Sequence, residues 1–399
     1  MRWIAGGTTA ASGFRAAGVH AGIKRSRKPD LSLVLADGPA TGAAVFTRNR
    51  VQAAPVLISK ARVARGTARA VLINSGCANC MTGAAGYQDA LRMGGAVARA
   101  LRIAETDVLL GSTGLIGSRL PVARMIRAVP LLVSQLSRAH HEDAAQAILT
   151  TDLHVKEAAV AAVIGGRACR LGGMAKGAGM VAPSMATMLG VLTTDAAIAP
   201  AFLRELLREV TEETFNRISV DGDMSTNDTV FALASGRSGA AVRPGTAGAK
   251  TFAAMLRAVS GRLAALLVAD GEGVSRVMEI AVTGARSARE ARACARSVAR
   301  SLLVKTMLAG GDPNVGRIAA AVGASSARFD PDRLDIDVEG RRLVARGAVQ
   351  SIPKSVARRL LKGAEIAVRV ELHAGRASAG MRTCDLTEEY VRINAHYST

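Results

Sequence analysis

The stretch from Lys176 to Leu189 carries the residue best placed to do chemistry, because small residues lead to Ala186 and Thr187 and an apolar run follows. A threonine hydroxyl is a poor nucleophile unless a base adjoins it. Cleavage of the chain just before the threonine would supply that base as the new α-amine. Such an amine has a pKa of about 8 and can accept and return a proton near neutrality. An ordinary threonine at the start of a strand is the alternative, and the residues alone leave both open.

A second candidate is the turn from Ser112 to Gly117, which contains Thr113 and Gly114 and lies between a predicted strand and a predicted helix. Its glycine spacing is not that of a dinucleotide-binding loop, and it lacks the lysine of a P-loop. The Thr113 hydroxyl and the Gly114 backbone N–H could stabilise an oxyanion together. A purely structural turn is equally compatible with these residues.

Metal and thiol chemistry find weaker support. The six histidines show no ligand spacing, and Cys77 and Cys80 form a CxxC pair without a second pair to complete a zinc site. The loop from Asp221 to Asp228 is acidic but lacks the spacing of an EF-hand, so turns capped by side chains are favoured there. No Gly-x-Ser-x-Gly elbow is present. We therefore expect no metal and no cofactor.

Composition narrows the class of protein further. The 399 residues are 49% hydrophobic and carry a net charge of +20, but no block of five consecutive basic residues occurs. Scattered charge of this kind indicates a diffuse basic surface that attracts anionic substrates. Aromatic residues make up only 3%, too few for base-stacking platforms, and we expect no nucleic-acid partner. Five cysteines, no signal peptide and no apolar run near 18 residues predict a cytoplasmic protein without a membrane span.

Both strands and helices must position these candidate residues. Short apolar runs bounded by turn residues predict strands, and apolar residues at helical spacing predict helices. Mixed hairpins and crossovers favour α/β layers with substantial antiparallel pairing. The predicted strands include Leu31–Ala36, Ala43–Thr47, Pro55–Ile58, Ala70–Asn74, Val108–Gly111, Glu157–Ile164, Thr229–Ala234, Val277–Thr283 and Glu365–His373. The predicted helices include Tyr87–Ile103, Val122–Leu136, Pro200–Phe215, Thr251–Val268 and Ala288–Ala309.

Nearly the whole chain resembles one known family, the self-cleaving ornithine acetyltransferases, which are glutamate N-acetyltransferases of the ArgJ type. The stretch from Lys176 to Leu189 resembles their cleavage segment. Further motifs resemble the family in the same order, which makes a chance match very improbable. They are Gly13–Val19, Ala53–Val56, Asn74–Asn79, Ser112–Gly117, Ser219–Asp228, Asp270–Gly273, Asp312–Arg317 and Tyr390–Thr399.

The resemblance implies a layered α/β sandwich with mixed sheets, of the self-cleaving N-terminal-threonine (DmpA-like) type. It also implies cleavage between Ala186 and Thr187, which divides the protein into an N-terminal chain, 1–186, and a C-terminal chain, 187–399. Two copies of each chain would associate into an (αβ)2 heterotetramer.

The resemblance further implies a ping-pong acetyl transfer. Thr187 would take the acetyl group of N2-acetyl-L-ornithine and pass it to L-glutamate, with Thr113 and Gly114 stabilising the oxyanion. Acetyl-CoA could serve as a second donor, in which case the enzyme is bifunctional. The residues that match the family's substrate-binding positions are Thr151, Lys176, Thr187, Glu272, Asn394 and Thr399.

Ala178, Met224 and Val315 depart from the family pattern, and Gly310 and Gly311 alter the approach to Asp312. These departures leave the specificity and packing of the pocket open. A self-cleaving amidase or peptidase with the same nucleophile but a different acyl substrate is the closest alternative. A non-catalytic basic binding protein is an alternative from another class, and it would require an uncut chain at Thr187.

Overall fold

The computed structural model describes residues 1–182 and 188–396, and strands and helices alternate along most of this length. Eighteen strands are present in the described part: β1 (Arg2–Ile4), β2 (Phe14–Val19), β3 (Leu31–Phe46), β4 (Thr67–Cys77), β5 (Val108–Leu115), β6 (Lys156–Ile164), β7 (Arg167–Lys176), β8 (Leu189–Thr194), β9 (Ala197–Ile198), β10 (Ile218–Ser219), β11 (Thr229–Ala234), β12 (Ala241–Val242), β13 (Val277–Ala285), β14 (Asp335–Val338), β15 (Arg341–Ala345), β16 (Ala348–Val349), β17 (Glu365–Glu371) and β18 (Ala377–Cys384).

The helices of the same residues lie on the faces of the sheets that these strands form. They are α1 (Ala54–Val63), α2 (Gly83–Leu101), α3 (Val122–Ser134), α4 (His141–Ala147), α5 (Pro200–Glu213), α6 (Ala247–Ala269), α7 (Ala288–Arg300), α8 (Leu302–Gly310), α9 (Val315–Gly323), α10 (Lys354–Leu360) and α11 (Glu388–Ala395).

The larger sheet has the order β1-β6-β7-β8-β11-β3-β4-β5, with β2 also paired to β3. Two of its pairings, β4 with β5 and β8 with β11, are parallel, and the others are antiparallel. Successive residues of a strand point to opposite faces. Leu33 accordingly packs towards α2 and α3, whereas its neighbour Val34 packs with Phe231 on the other face. The mixed pairing and the two covered faces confirm the predicted layered α/β class with mixed sheets.

A second sheet, with the order β10-β18-β13-β17-β14-β15-β16, belongs to the C-terminal part of the described chain. Alternate residues of β13, including Met278, Ile280 and Val282, are fully buried against helices α7 to α9. This sheet has its own core. Most of the motifs that the sequence analysis singled out as candidates for chemistry lie on or near the larger sheet.

Two predicted elements were wrong for local reasons. Pro55–Ile58 is part of α1 and not a strand, because Pro55 occupies the first helical turn, where its fixed φ and missing N–H suit a helix start. The predicted helix Ala288–Ala309 is two helices, because Ser301 is extended and its hydroxyl caps α8 by accepting from the N–H of Val304. Strand β7 was missed, since its glycines and arginines break the apolar alternation.

One prediction about apolar runs also needs correction. Among the described residues, α6 is long and apolar enough to cross a membrane by length and composition alone. Over half of its apolar window is buried inside the protein, and Phe252, Leu256 and Leu263 pack in the core of the larger sheet. The core helix of an α/β layer meets the same length and hydropathy test.

Candidate active site

Thr113 and Gly114 lie at the C-terminal end of β5, beside the end of its parallel neighbour β4. Gly76 pairs with Gly114 in the register of the two strands. Gly114 has a φ of +129°, and a Cβ there would lie 2.5 Å from the Cys77 nitrogen and 2.7 Å from the Gly76 Cα. Only glycine can occupy this position, because side chains rarely adopt such a φ and the neighbouring backbone leaves no room. The turn therefore places the Thr113 hydroxyl and the Gly114 backbone at one edge of a cavity.

Lys176 reaches this turn from the end of β7. Its side chain is buried, and its Nζ donates to the hydroxyl oxygens of Thr113 at 3.2 Å and Thr150 at 2.8 Å. A hydroxyl that accepts a proton from an ammonium group still has its own O–H to donate. Lys176 thus leaves the O–H of Thr113 free to donate a hydrogen bond to another group.

A buried ionic network holds Lys176 in place. Asp152 accepts from Lys156 Nζ at 2.7 Å and from the Gly177 N–H at 2.6 Å, and it lies 3.8 Å from Lys176 Nζ. Lys156 also donates to Asp270 at 2.5 Å. Asp152 and Asp270 are far apart in sequence, so the network joins the part of the chain before residue 183 to the part after residue 187.

Burial and charge shift the pKa values within this network in different directions. Burial raises the pKa of the Asp152 carboxyl, but the ammonium groups of Lys176 and Lys156 outweigh that effect and hold it well below its usual range. Burial lowers the pKa of Lys176; the Asp152 carboxylate offsets part of this effect, and the neighbouring Lys156 ammonium lowers the pKa further. A carboxylate bound next to Lys176 would stabilise its charged form, so the site is suited to an anionic substrate.

Glu272 and Asn394 also line the cavity. Asn394 Nδ2 donates to Glu272 Oε2 at 2.7 Å, and the Glu272 N–H donates to the Ala178 carbonyl at 2.9 Å. A Cβ on Gly179 would collide with the Glu272 carboxylate, so the missing side chain makes room for the acid. Ala178 contributes its backbone here, which any residue supplies, and its departure from the family pattern leaves this contact unchanged.

These groups line one cavity of about 260 Å³. Six of the predicted site residues come together there: Thr113, Gly114, Thr151, Lys176, Glu272 and Asn394. Three others, Ala186, Thr187 and Thr399, lie outside the described residues. The predicted substrate-binding set is thus collected at one place as far as the structure describes it, and the individual roles stay predictions.

Residues close to the 183–187 segment lie at this cavity or next to residues that line it. Gly179 and Met180 line it before the segment. After the segment, the Met188 N–H donates to Asp228 Oδ1 at 3.1 Å, and the neighbouring Asn227 lines the cavity. Asp228 is fully buried, and burial raises its pKa well above the usual value of a carboxyl group.

The loop from Asp221 to Asp228 forms turns capped by side chains, as the sequence indicated, because Asp221 accepts from the Asp223 N–H and Ser225 from the Asn227 N–H, each at 3.1 Å. Asp221 accepts from the N–H groups of Met180 at 2.5 Å and Val181 at 2.9 Å, and Tyr390 donates to it at 3.1 Å. Asn227 Nδ2 donates to the Ala78 and Ser112 carbonyls. The loop therefore ties the segment before residue 183 to the oxyanion turn.

Four residues of the site were not predicted as such: Thr150, Asp152, Asn227 and Asp228. Asp152 and Asp228 are polar residues at the edge of apolar runs, a pattern also typical of exposed turns. Only their burial distinguishes them, and burial is a property of the fold. The sequence did contain one indication of Thr150 and Asp152, because both adjoin Thr151, a predicted substrate-binding residue.

Among the described residues that line the cavity there is no His or Cys, although Cys77 pairs with Thr113 across β4 and β5. In residues 1–182 and 188–396, no three His, Cys, Asp or Glu side chains are grouped so that they could hold a metal ion. Cys77 and Cys80 are free, buried thiols, and burial raises the pKa of Cys77. A raised pKa disfavours the reactive thiolate form.

Comparison with known proteins gives a consistent result. The model of the ArgJ family matches residues 15–399. Arginine biosynthesis bifunctional protein ArgJ of Symbiobacterium thermophilum is 44% identical, with all of both chains covered. The protein of the same name from Geobacter sulfurreducens is 45% identical over 97% of this chain and 99% of its own. The crystal structure of the ArgJ protein from Bacillus halodurans is 36% identical, with a TM-score of 0.50, over 51% of this chain and 97% of the solved chain.

Proposed function

The chain belongs to the ArgJ family, and from this membership we propose that it is a glutamate N-acetyltransferase of arginine biosynthesis. It transfers the acetyl group of N2-acetyl-L-ornithine to L-glutamate through an acetylated Thr187. The observation that carries the proposal is the single cavity that collects Thr113, Gly114, Lys176 and the Glu272–Asn394 pair. A carboxylate anchor, an ammonium acceptor and an oxyanion turn in one small cavity fit an acylated amino acid.

Thr187 becomes the nucleophile when the bond between Ala186 and Thr187 is cut. Gly179 and Met180 line the cavity before residues 183–187. After these residues, Met188 donates to Asp228, the neighbour of the lining residue Asn227, and these placements support a nucleophile there. The match with the Bacillus halodurans chain spans 51% of this chain but 97% of that one, so the solved chain has about the length of one cleaved half. The free α-amine of Thr187 then acts as its own base.

In the first half-reaction the Thr187 oxygen bonds to the acetyl carbon of acetylornithine, and its proton passes to the α-amine. The carbonyl oxygen becomes an oxyanion, which the Thr113 hydroxyl and the Gly114 N–H stabilise. Collapse of the intermediate breaks the amide C–N bond, and the α-amine returns the proton to the departing amine of ornithine. The acetyl-Thr187 ester remains.

In the second half-reaction the amine of glutamate attacks the same ester, with the proton transfers reversed, and N-acetylglutamate leaves. Both substrates carry an α-carboxylate, for which Lys176, a buried cation that lines the cavity, is the proposed partner. The Glu272 carboxylate, held by Asn394, suits the side-chain ammonium of ornithine. No cofactor is needed, because the exchange of one amide for another is nearly thermoneutral if water is kept from the ester.

Cleavage and the nucleophile are tested together by Thr187→Ala. The wild-type protein should separate under denaturing conditions into chains of about 19 and about 22 kDa, which divide 41.1 kDa in proportion to the predicted chain lengths. Thr187→Ala should give one uncut band and no acetyl transfer. A single full-length band in active wild-type enzyme would refute the mechanism.

The rival amidase is tested by the fate of the acetyl group. Acetylornithine is incubated with the enzyme, with and without glutamate, and acetate and N-acetylglutamate are both quantified. We expect N-acetylglutamate in equal amount to the ornithine released and little acetate. Acetate as the main product, independent of glutamate, would assign the chain to hydrolysis instead.

A further inference from the structure

A groove of about 780 Å³ lies between α7 and α9, and it shares no described lining residue with the acetyl-transfer cavity. No acid is present among its described lining residues, which are arginines, alanines, serines and one leucine. The acetyl transfer proposed above makes no use of this groove. The arginines that line it are Arg289, Arg292, Arg296 and Arg300 of α7 and Arg317 of α9.

The four arginines of α7 follow one face of the helix. They are three, four and four residues apart, which is the spacing that places side chains above one another on a helix. With a rise of 1.5 Å per residue, the row is about 16 Å long. The other face of α7, which includes Cys294 and Val298, is buried in the core of the second sheet. Packing of α7 therefore fixes the direction of the whole row.

Carboxylates do not neutralise this row. In residues 1–182 and 188–396, none of the five groove arginines has an acid within ion-pair distance. Glu212 lies near Arg296, but it is paired with Arg48 at 2.8 Å. Burial, followed by the charge of Arg300, lowers the pKa of the half-buried Arg296. Cations along one concave surface repel each other, and a bound anion would relieve this repulsion.

Arg317 and the start of α8 form the facing part of the groove. Arg317 donates to the Leu303 carbonyl at 2.9 Å and to the Thr306 hydroxyl at 3.2 Å, and these uncharged acceptors hold the side chain without neutralising it. Ser301 caps α8 by accepting from the Val304 N–H at 3.3 Å, and it can still donate its own O–H. Since Ser301 and Leu303 line the groove, the positive end of the α8 dipole lies there too.

The lining chemistry selects phosphate groups without bases. A guanidinium is a planar fork that binds two phosphate oxygens at once, and it stays charged even where burial lowers its pKa. The described lining contains no aromatic side chain, so the groove has no platform on which a base would stack. A row of cations about 16 Å long therefore suits a chain of phosphates better than a nucleic acid.

We propose that the groove between α7 and α9 binds an extended inorganic oligophosphate, whose phosphates pair with the arginine row of α7 and with Arg317. The site is additional to the acetyl-transfer cavity and is not required for acetyl transfer. Longer chains reach more of the row, so affinity depends on the number of phosphates. Orthophosphate can contact only part of the row.

Calorimetric titration of the purified wild-type protein tests the chain-length dependence. Orthophosphate, pyrophosphate and tripolyphosphate are the probes, at an ionic strength of about 0.15 M, where exposed charges are largely screened beyond about 8 Å. Affinity should rise in that order, by at least ten-fold from orthophosphate to tripolyphosphate. No binding of tripolyphosphate at millimolar concentration, or equal affinity for the three probes, would overturn the proposal.

Charge reversal locates the site on α7. Arg289→Glu and Arg292→Glu change exposed arginines and should each weaken the binding of tripolyphosphate at least ten-fold. Arg292→Lys keeps the charge but loses the fork, and should weaken it by less than Arg292→Glu does. Arg127→Glu is the matched control, an exposed arginine on α3 that does not line the groove, and affinity should stay within two-fold. Equal losses in Arg127→Glu and Arg292→Glu would reduce the effect to net charge and overturn the proposal.

A second basic cavity provides a further control. It lies beside the oxyanion turn, where Gly76 and Leu115 line it together with cations that include Arg124. Arg124→Glu should leave the affinity for tripolyphosphate within two-fold. A ten-fold loss in this variant, with no loss in Arg292→Glu, would move the anion to the second cavity and overturn the proposal. Transfer from acetylornithine to glutamate, within two-fold of wild type, shows that Arg292→Glu is folded.

Rival occupants are tested with two other polyanions and one measurement of mass. An RNA oligonucleotide with the same number of phosphates and a short polyglutamate peptide should each bind at least ten-fold more weakly than tripolyphosphate. Equal or tighter binding of either would assign the groove to nucleic acid or to an acidic peptide instead. Light scattering should give Arg292→Glu the same assembly mass as wild type. A lower mass would make the groove an interface between copies of this chain and overturn the proposal.

Discussion

Gly114→Ala is the sharpest test of the oxyanion turn, because the structure also offers a matched control in the same turn. Gly114 and Gly117 both have positive φ, +129° and +88°. A Cβ at Gly117 would meet nothing within 4 Å, whereas one at Gly114 would overlap the backbone of Gly76 and Cys77. Both variants bear the strain of a side chain at positive φ, about 1–3 kcal/mol. Only Gly114→Ala adds a collision.

The size of the effect on catalysis follows from the distances. The new Cβ would lie 2.5 Å from the Cys77 nitrogen, and ordinary contact begins at 3.4 Å. The ends of β4 and β5 must therefore separate by about 1 Å, and a displacement of that size costs catalysis about 100-fold. Loss of one oxyanion donor lowers kcat by about 10²–10³-fold, or about 2.7–4 kcal/mol. We expect a fall of that order for Gly114→Ala and less than ten-fold for Gly117→Ala.

The assay measures kcat for transfer from acetylornithine to glutamate, divided by the fraction of cleaved chain seen on a denaturing gel. This division separates turnover from any defect in self-cleavage. Thermal unfolding of both variants reports the strain. A kcat for Gly114→Ala within three-fold of that for Gly117→Ala would refute the assignment of the turn to the oxyanion.

Three further changes test the surroundings of the site. Asp152→Asn leaves Lys156 short of a buried counter-charge and should lower the free energy of unfolding by about 3–5 kcal/mol, measured by denaturant titration; an unchanged midpoint would contradict the network. Glu272→Gln should raise the KM for acetylornithine at least ten-fold in steady-state kinetics while self-cleavage on a gel stays complete; an unchanged KM would remove Glu272 from substrate binding. Asp228→Asn keeps an acceptor for the Met188 N–H and should cleave like wild type, whereas Asp228→Ala should slow cleavage about ten-fold in a time course; equal rates for the two would rule out this role.

Much of the fold could be predicted because its elements are long and periodic. The predicted helix Tyr87–Ile103 and the predicted strand Glu157–Ile164 correspond closely to α2 and β6. The prediction of a strand at Pro55–Ile58 was wrong because a short apolar run fits either a strand or a helix, and the position of the proline decides between them. Strand β7 was not predicted because Gly172 and Gly173 replace the apolar residues that mark a strand. Its pairing with β6 and β8 stabilises the strand instead.

The site, too, could be predicted only in part. The types and order of its residues, including Thr113, Lys176 and Glu272, were readable from motifs that match the family along the chain. Asp152 and Asp228 were not, because an acid near a turn is usually solvated. Their roles depend on complete burial, and burial of a charged group is stable only with partners that the fold brings from elsewhere.

The sequence by itself determined the family, the layered α/β class and the candidate chemistry, since each of these depends on residue types at fixed spacing. Tertiary structure alone decided that Lys176 donates to Thr113 and that Asp152, Lys156 and Asp270 form one buried network. It alone placed a basic cavity against the oxyanion turn. The physical reason is that burial and Coulomb interactions depend on distances through space, whereas Lys156 and Asp270 of this network lie 114 residues apart along the chain.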